Sequence, residues 1–190
     1  IASHSKLFTS IAILQLRDAG KLRLDDPITD HLLWFDMQNP YPDAEPVRIW
    51  NLLTHSAGLP RESDHPSWTE FEFPTGEDLR EAVSQQQAAY PAATVWKYSN
   101  LGLSLAGAIV ETVSGREYEE YVETEIMAPL GMTSSSVGVP SDAHQVRLVT
   151  GYGRRWSGKP RKVMPFIDAR AFDPATGLSS NVDDMLTFLS

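Results

Sequence analysis

The sequence predicts a mostly helical chain that is part of a longer protein. Apolar residues recur at helical spacing in separate windows, first at Leu7, Phe8, Ile11, Leu14 and Leu16, later at Leu103, Ala106, Ile109, Val110 and Val113. Strand signals are weak and confined to 146–152 and 162–166. The chain opens at Ile1, hard against its first candidate motif, and stops at Ser190, barely two turns into an apolar stripe of Met185, Leu186 and Leu189. A fragment truncated at both ends is expected, with residues 1–190 forming part of one domain: no repeat and no Pro/Gly linker separates two cores.

The first helix follows Ser3 and is closed by Gly20, a residue suited to the left-handed position after a helix. Asp26-Pro27 reads as a cap with proline at the first helical position, opening a short turn through Ile28 and Leu32. After a proline-rich loop, Ile49, Leu52 and Leu53 make a short helix that stops in His55-Ser56-Ala57-Gly58-Leu59-Pro60. Residues 61–74 form a loop with aromatic anchors Trp68, Phe71 and Phe73. Thr75 and Asp78 make a near-capping-box for a helix to about residue 87. A connector leads to the helix from Asn100, which Gly115 stops; another helix spans about 116–127 and ends at Pro129. Ser180 and Asp183 are expected to cap the final helix.

Composition excludes several function classes. A net charge of -9 leaves no basic face for nucleic acid and disfavours docking to anionic lipid. The absence of cysteine rules out disulfides, thiolate chemistry and Cys-zinc sites. Five scattered histidines contain no i, i+4 ligand pair, so no metal site is read. No apolar run approaches the roughly 20 residues of a membrane helix.

The chemistry-bearing residues are few. Ser3-His4-Ser5-Lys6 sets a hydroxyl and an amine three apart, on one face at the start of the first helix. A serine hydroxyl needs a base to become a nucleophile, and Lys6 can serve if desolvation lowers its pKa. The helix N-terminus favours an alkoxide and a tetrahedral oxyanion. Taken alone, the tetrapeptide is better read as an N-cap serine followed by a solvated lysine. Tyr98-Ser99-Asn100 follows a loop and opens a helix. Tyr98 can act as base on Ser3 and then as acid on a leaving group; Asn100 can contact a substrate amide or hold the lysine. Alone, it reads as a packed aromatic and a helix cap.

Joined, these segments resemble the class C β-lactamase-like serine hydrolases, a group of class C β-lactamases, D-alanyl-D-alanine carboxypeptidases and family VIII esterases. Ser3-His4-Ser5-Lys6-Leu7-Phe8-Thr9 resembles the family's S-x-S-K-x-F-T nucleophile helix. Gly20-Lys21-Leu22-Arg23-Leu24-Asp25-Asp26-Pro27-Ile28 is similar to its G-K-L-x-L-D-D-P-V turn, and Leu52-Leu53-Thr54-His55-Ser56-Ala57-Gly58-Leu59-Pro60 to L-L-T-H-T-S-G-L-P. Tyr98-Ser99-Asn100-Leu101-Gly102 resembles Y-S-N-x-G, Pro129-Leu130-Gly131-Met132 resembles P-L-G-M, and Gly177-Leu178-Ser179-Ser180 with Asp183-Asp184-Met185 resembles G-L-x-S-x-x-D-L. Six matches in order are far more specific than any one, and Tyr-x-Asn in place of Ser-Asp-Asn favours class C over class A.

The resemblance implies an α/β (α+β) β-lactamase/transpeptidase-like fold, of which this chain holds the helical lobe and the nucleophile helix while most of the antiparallel sheet is missing. That would leave an apolar face of the nucleophile helix exposed. It implies Ser3 as the acylated nucleophile, Lys6 and Tyr98 as the proton-transfer pair, and Asn100 as a substrate or lysine contact. The Ser3 backbone N–H would be one oxyanion donor. No metal and no organic cofactor is implied. The substrate class is a small ester, amide or lactam, with an esterase or general hydrolase favoured; β-lactamase, D-Ala-D-Ala carboxypeptidase or D-aminopeptidase, and a non-catalytic scaffold remain as alternatives. A periplasmic or secreted location is compatible with the family; localisation and oligomeric state stay open.

The chain departs from the pattern in places. The third motif, K-T-G or H-x-G, and the second oxyanion donor are not found, and Lys159-Pro160-Arg161 lies too early to replace them. The isolated chain is therefore expected to be inactive. Ala92-Ala93 and Thr176 stand where glycines are frequent. His55 is read as structural, Asp25-Asp26 as turn and cap, and Glu117, Glu119, Glu120 and Glu123 as a solvated helix face. Trp68, Phe71 and Phe73 either wall a cleft or pack the loop down.

Overall fold

Two helices, α1 (Ser5–Asp18) and α4 (Asn100–Ser114), form the core around which a computed structural model arranges the chain. It describes all 190 residues apart from the side chain of Ala143. Phe8, Ala12, Ile13 and Leu16 give α1 its buried stripe. α4 is buried on every side through most of its length, from Asn100 to Gly107 and again at Ile109 and Val110. Such a helix belongs in the centre of a fold. Ser99 caps it by accepting the Gly102 N–H, and Gly115 ends it in the left-handed conformation at φ 72°.

Shorter elements surround this pair. α2 (Ile49–Leu53) and α3 (Gly76–Gln85) precede α4, and α3 carries the expected capping box of Thr75 and Asp78. α5 (Tyr118–Val122) runs through a π-helical turn, Glu123–Met127, into α6 (Ala128–Leu130). Pro129 therefore lies inside the final turn instead of ending the helix, and Gly131 at φ 69° is the terminator. A proline has no N–H to give the preceding turn, and the ladder widens just before it. Next come β1 (Ser136–Val137), α7 (Asp142–Gln145), β2 (Gly151–Tyr152), β3 (Val163–Met164), α8 (Asp173–Thr176), β4 (Leu178–Ser179) and α9 (Val182–Leu189).

The fold is mostly helical, with two small antiparallel ladders. β1 pairs with β4, Ser136 facing Ser179; β2 pairs with β3, Gly151 facing Met164. The β2–β3 hairpin falls within the expected strand segments but is shorter: residues 146–147 turn after α7, and only Gly151–Tyr152 and Val163–Met164 pair. Among the described residues no helix is long and apolar enough to cross a membrane.

Several local expectations need correction. Ser3 lies in a 3-10 turn, Ala2–His4, that leads directly into α1, and His4 flanks the helix proper. Asp26 does not cap a helix forward; its carboxylate reaches back to the Arg23 N–H and to His31. Asn181, not Ser180, caps α9, because Ser180 Oγ is engaged with Ser135 Oγ at 2.7 Å. The buried side of α9 carries Asp184, Met185 and Phe188, with Phe188 stacked on Phe8 at 4.3 Å, while Leu186 and Leu189 face outward. The apolar face expected to lie open on the first helix is mostly covered: Leu7 alone is among the exposed large apolar residues of α1, and Val182, Leu186 and Leu189 are exposed on α9 instead. Phe73 is an interior anchor against Phe172, so the 61–74 loop is packed down through it.

One close approach sets the geometry of the site. Pro174 of α8 sits on Gly107 of α4, where an added Cβ would lie 2.2 Å from Pro174 Cγ. Gly107→Ala should push α8 away from the core and cost about 1–3 kcal/mol, as overpacking does, read as a lowered urea midpoint with unchanged slope.

Candidate active site

The structure brings Ser3, Lys6 and Tyr98 together. Ser3 Oγ lies 2.7 Å from the Tyr98 hydroxyl, and Lys6 Nζ donates to Ser3 Oγ at 3.2 Å. The contact spans 95 residues of chain. Ser3 and Lys6 meet because they are one turn apart at the entry to α1. Tyr98 arrives from the opposite side, on the irregular segment that feeds α4.

Lys6 is held by backbone. Only 9% of the residue is exposed, and Nζ donates to the Ala175 carbonyl at 2.7 Å. That carbonyl is presented by α8, which is locked onto α1: Thr9 Oγ1 donates to Pro174 O at 2.6 Å and shares a 2.7 Å hydrogen bond with the buried Tyr118 hydroxyl. Ser5, fully buried, accepts the Leu178 N–H and ties β4 to the same helix. The Lys6 amine also lies 4.9 Å from the Tyr98 ring centroid, and the Arg61 guanidinium stands at the same distance.

These neighbours tune the phenol. Burial pushes the Tyr98 pKa up, but the Lys6 and Ser3 groups beside its oxygen, with the charges of Lys6 and Arg61, outweigh burial and leave it below its ordinary value. A lowered pKa raises the fraction of the phenol that is ionised near neutral pH, the form able to take up a hydroxyl proton.

Asn100 is placed differently. It is 4% exposed, and its Nδ2 donates to Glu62 Oε1 at 2.7 Å while its backbone N–H donates to the Arg61 carbonyl. The hydrogen bonds of Lys6 go to Ser3 and Ala175, not to Asn100. Asn100 Oδ1 is buried with no hydrogen-bond partner among the described residues. The Glu62 carboxylate takes the amide because a charged acceptor makes the stronger bond.

Some of the groups gathered around Ser3, Lys6 and Tyr98 escape sequence reading. The Ala175 carbonyl has no signature, since any residue supplies one. Arg61 and Glu62 sit just beyond the Leu59-Pro60 turn and carry no motif of their own. His55, read as structural, touches Tyr98 directly, with ring centroids 4.6 Å apart. The expected solvated glutamate face is exposed over most of its area, but Glu123 accepts the Val137 N–H and the Glu119 carboxyl lies beside the buried Asp173.

The comparisons with known proteins identify the family. The family profile described as Beta-lactamase matches residues 1–190, and the chain belongs to that family of serine hydrolases. It is 34% identical over 139 residues to Beta-lactamase-like protein 2 of Dictyostelium discoideum, covering 72% of this chain and 25% of that protein. Among solved structures, a beta-lactamase/D-alanine carboxypeptidase from Yersinia pestis superposes with a TM-score of 0.82 at 27% identity, covering all of this chain and 52% of the other. A class C beta-lactamase from Rhodobacter sphaeroides gives 0.75 at 29%, covering 49% of its length. The chain thus spans about half of these structures and about a quarter of the curated relative.

One buried acid near the site makes a measurable prediction. Asp173, at the start of α8, is 4% exposed, and its Oδ1 has no partner among the described residues. Burial first, then the nearby Glu119 and Asp168, push its pKa up from 3.8 to about 8. The folded chain therefore keeps a proton that the unfolded chain releases, and stability falls as pH rises from about 4 to 8. Asp173→Asn should remove that fall. Urea unfolding should show the variant matching the parent near pH 4 and exceeding it at pH 8, by at most about 5 kcal/mol at 1.36 kcal/mol per pKa unit.

Proposed function

We propose that this chain carries the nucleophile half of an acyl-transfer hydrolase, acting on a small ester, amide or lactam through a Ser3 acyl-enzyme. The observation that carries the reading is the Ser3 hydroxyl within hydrogen-bond distance of both Tyr98 and Lys6. In this reading Ser3 Oγ attacks the substrate carbonyl and its proton passes to the Tyr98–Lys6 pair. The pair returns that proton to the leaving alcohol or amine as the carbonyl–heteroatom bond breaks. Water then attacks the acyl ester, giving its proton to the same pair, and Ser3 is released on reprotonation. These steps require no metal or organic cofactor. The Ser3 backbone N–H, at the entry to α1, would provide one oxyanion donor. Asn100 would contact a substrate amide or the lysine by turning its buried, unpartnered amide oxygen into the site.

Residues 1–190 would make up part of one hydrolase domain, with the second oxyanion donor and the third motif supplied from elsewhere in the whole protein. Among substrates, an ester or general hydrolase role is favoured because the family is broad. A β-lactam or D-alanyl peptide is the alternative, supported by the carboxypeptidase and β-lactamase named among the structural relatives.

The full-length protein should be assayed with p-nitrophenyl acetate, nitrocefin and a D-alanyl-D-alanine peptide, with intact-mass detection of a Ser3 adduct. Ser3→Ala should reduce turnover of the accepted substrate by about 10³-fold or more. Tyr98→Phe should reduce kcat by about 10²–10⁴-fold. Undiminished turnover in Ser3→Ala would overturn the reading; no turnover of any substrate and no adduct would favour a non-catalytic binding member of the fold.

A further inference from the structure

The segment carrying Tyr98 has no regular secondary structure of its own between residues 91 and 99. It is stitched to the loop after α2. Gly58 O accepts the N–H groups of Ala89 and Tyr90, Ser56 O accepts that of Ala93, and His55 O accepts that of Lys97 at 2.8 Å. The last stitch is a side chain: His55 Nδ1 accepts the Ser99 N–H at 3.2 Å. His55 thus holds the backbone on both sides of Tyr98.

The loop is built for this. His55 adopts φ 57°, in the left-handed region, which lets its carbonyl and its ring both face the 97–99 segment. Gly58 at φ 71° allows the chains to touch, since a Cβ there would lie 2.0 Å from Tyr90 O. Asn51, 1% exposed, braces the loop base by accepting the Arg48 N–H and donating to Ser56 Oγ. The imidazole lies against the Tyr98 ring with an interplanar angle of 38°, and Trp96 approaches the imidazole edge-on at 6.2 Å.

Resting on the reading of Ser3 and Tyr98 given above, we propose that His55 is a positioning residue for Tyr98: its carbonyl and Nδ1 clamp the flanking backbone, and its ring sets the phenol toward Ser3 Oγ. A backbone N–H can only donate, so Nδ1 must present a lone pair and the proton sits on Nε2. The charged and titratable groups around the imidazole are Lys6 on α1, Arg61 with its partner Glu62 beyond the loop, and Lys97 and Tyr98 on the clamped segment. Burial, then the Lys6 charge, hold the His55 pKa below its ordinary value, so the lone pair persists at neutral pH. Protonation at acid pH would set an N–H of His55 against the N–H of Ser99 and open the clamp.

The test compares His55→Ala with His55→Asn in the full-length protein. Asn tolerates the left-handed backbone, offers an amide oxygen close to the Nδ1 position, and does not titrate. With p-nitrophenyl acetate, His55→Ala should lower kcat about 10–100-fold with KM within about twofold, the signature of a misplaced catalytic group. His55→Asn should recover kcat to within about fivefold of the parent, the scale of one restored neutral hydrogen bond. In nitrogen-15 NMR spectra the Ser99 amide should step at acid pH in the parent, below the ordinary imidazole range, and show no step in His55→Asn. Full kcat in His55→Ala, failure of His55→Asn to recover, or a Ser99 amide indifferent to pH in the parent would each overturn the clamp. If His55→Ala does not fold, the Asn variant and the parent amide titration decide alone. The same two measurements decide if Ser3→Ala retains turnover, an outcome that removes the nucleophile reading without touching the clamp.

Discussion

A lysine amine taken out of water must find lone pairs, and the site follows from where Lys6 finds them. It is 9% exposed and, among the described residues, forms no ion pair with a carboxylate. Removing such a group from water costs several kcal/mol unless its hydrogen bonds are replaced. Here the replacements are the Ala175 carbonyl, the Ser3 hydroxyl and the face of the Tyr98 ring. Each comes from a different part of the chain, so satisfying one amine fixes three segments together. The carbonyl faces Lys6 because Thr9 grips Pro174 and because Gly107 leaves room for that proline. A neutral carbonyl in place of a carboxylate leaves Lys6 without a fixed counter-charge.

The cost of bringing α8 so close falls on Asp173. Its carboxyl is buried without a cation, with Glu119 crowding it from α5: the same Cβ position over Gly138 would touch Glu119 Oε1 at 2.6 Å and Asp173 Oδ2 at 3.0 Å. Three carboxyls in this region, those of Asp173, Glu119 and Glu111, are all pushed up, in each case by burial first. The opposite wall carries smaller penalties, the buried oxygens Asn100 Oδ1 and Glu62 Oε2, unpartnered among the described residues. Tyr98 is held there by backbone hydrogen bonds to a loop whose own polar base, Asn51, is satisfied. The two walls thus differ physically: one packs closely around a buried carboxyl, the other is joined by backbone hydrogen bonds.

What was legible in the sequence was whatever depends on side-chain type at fixed spacing. Ser3 and Lys6 are three apart at a helix entry, Thr75 and Asp78 close a capping box, and Gly115 and Ser99 bound α4; each is a local rule with one geometric outcome. The meeting of Tyr98 with Ser3 was legible only through resemblance, because no periodicity predicts a contact across 95 residues. β1 and β4, two residues each, are too short to show alternation. Ser180 and Asn181 are both good caps, and only the tertiary bond of Ser180 to Ser135 decides between them. The Ala175 carbonyl and the His55 clamp belong to the backbone as much as to the side chain, which is why composition says nothing of them.

The three central side chains also form a gradient of exposure. Ser3 is exposed, Tyr98 half-buried and Lys6 buried. In the proposed role Ser3 has to meet a substrate from solvent, and its oxygen lies at the surface end. A phenol whose pKa is to be lowered by neighbouring charge needs those charges unscreened, which requires partial burial. An amine that supplies the charge gains most influence from deep in the wall, where the effective dielectric is lowest. Reversing the order would bury the serine hydroxyl and screen the amine. α1 produces the order directly: Ser3 precedes its first turn, where the chain still faces outward, and Lys6 lies one turn further in, on the face that α8 covers.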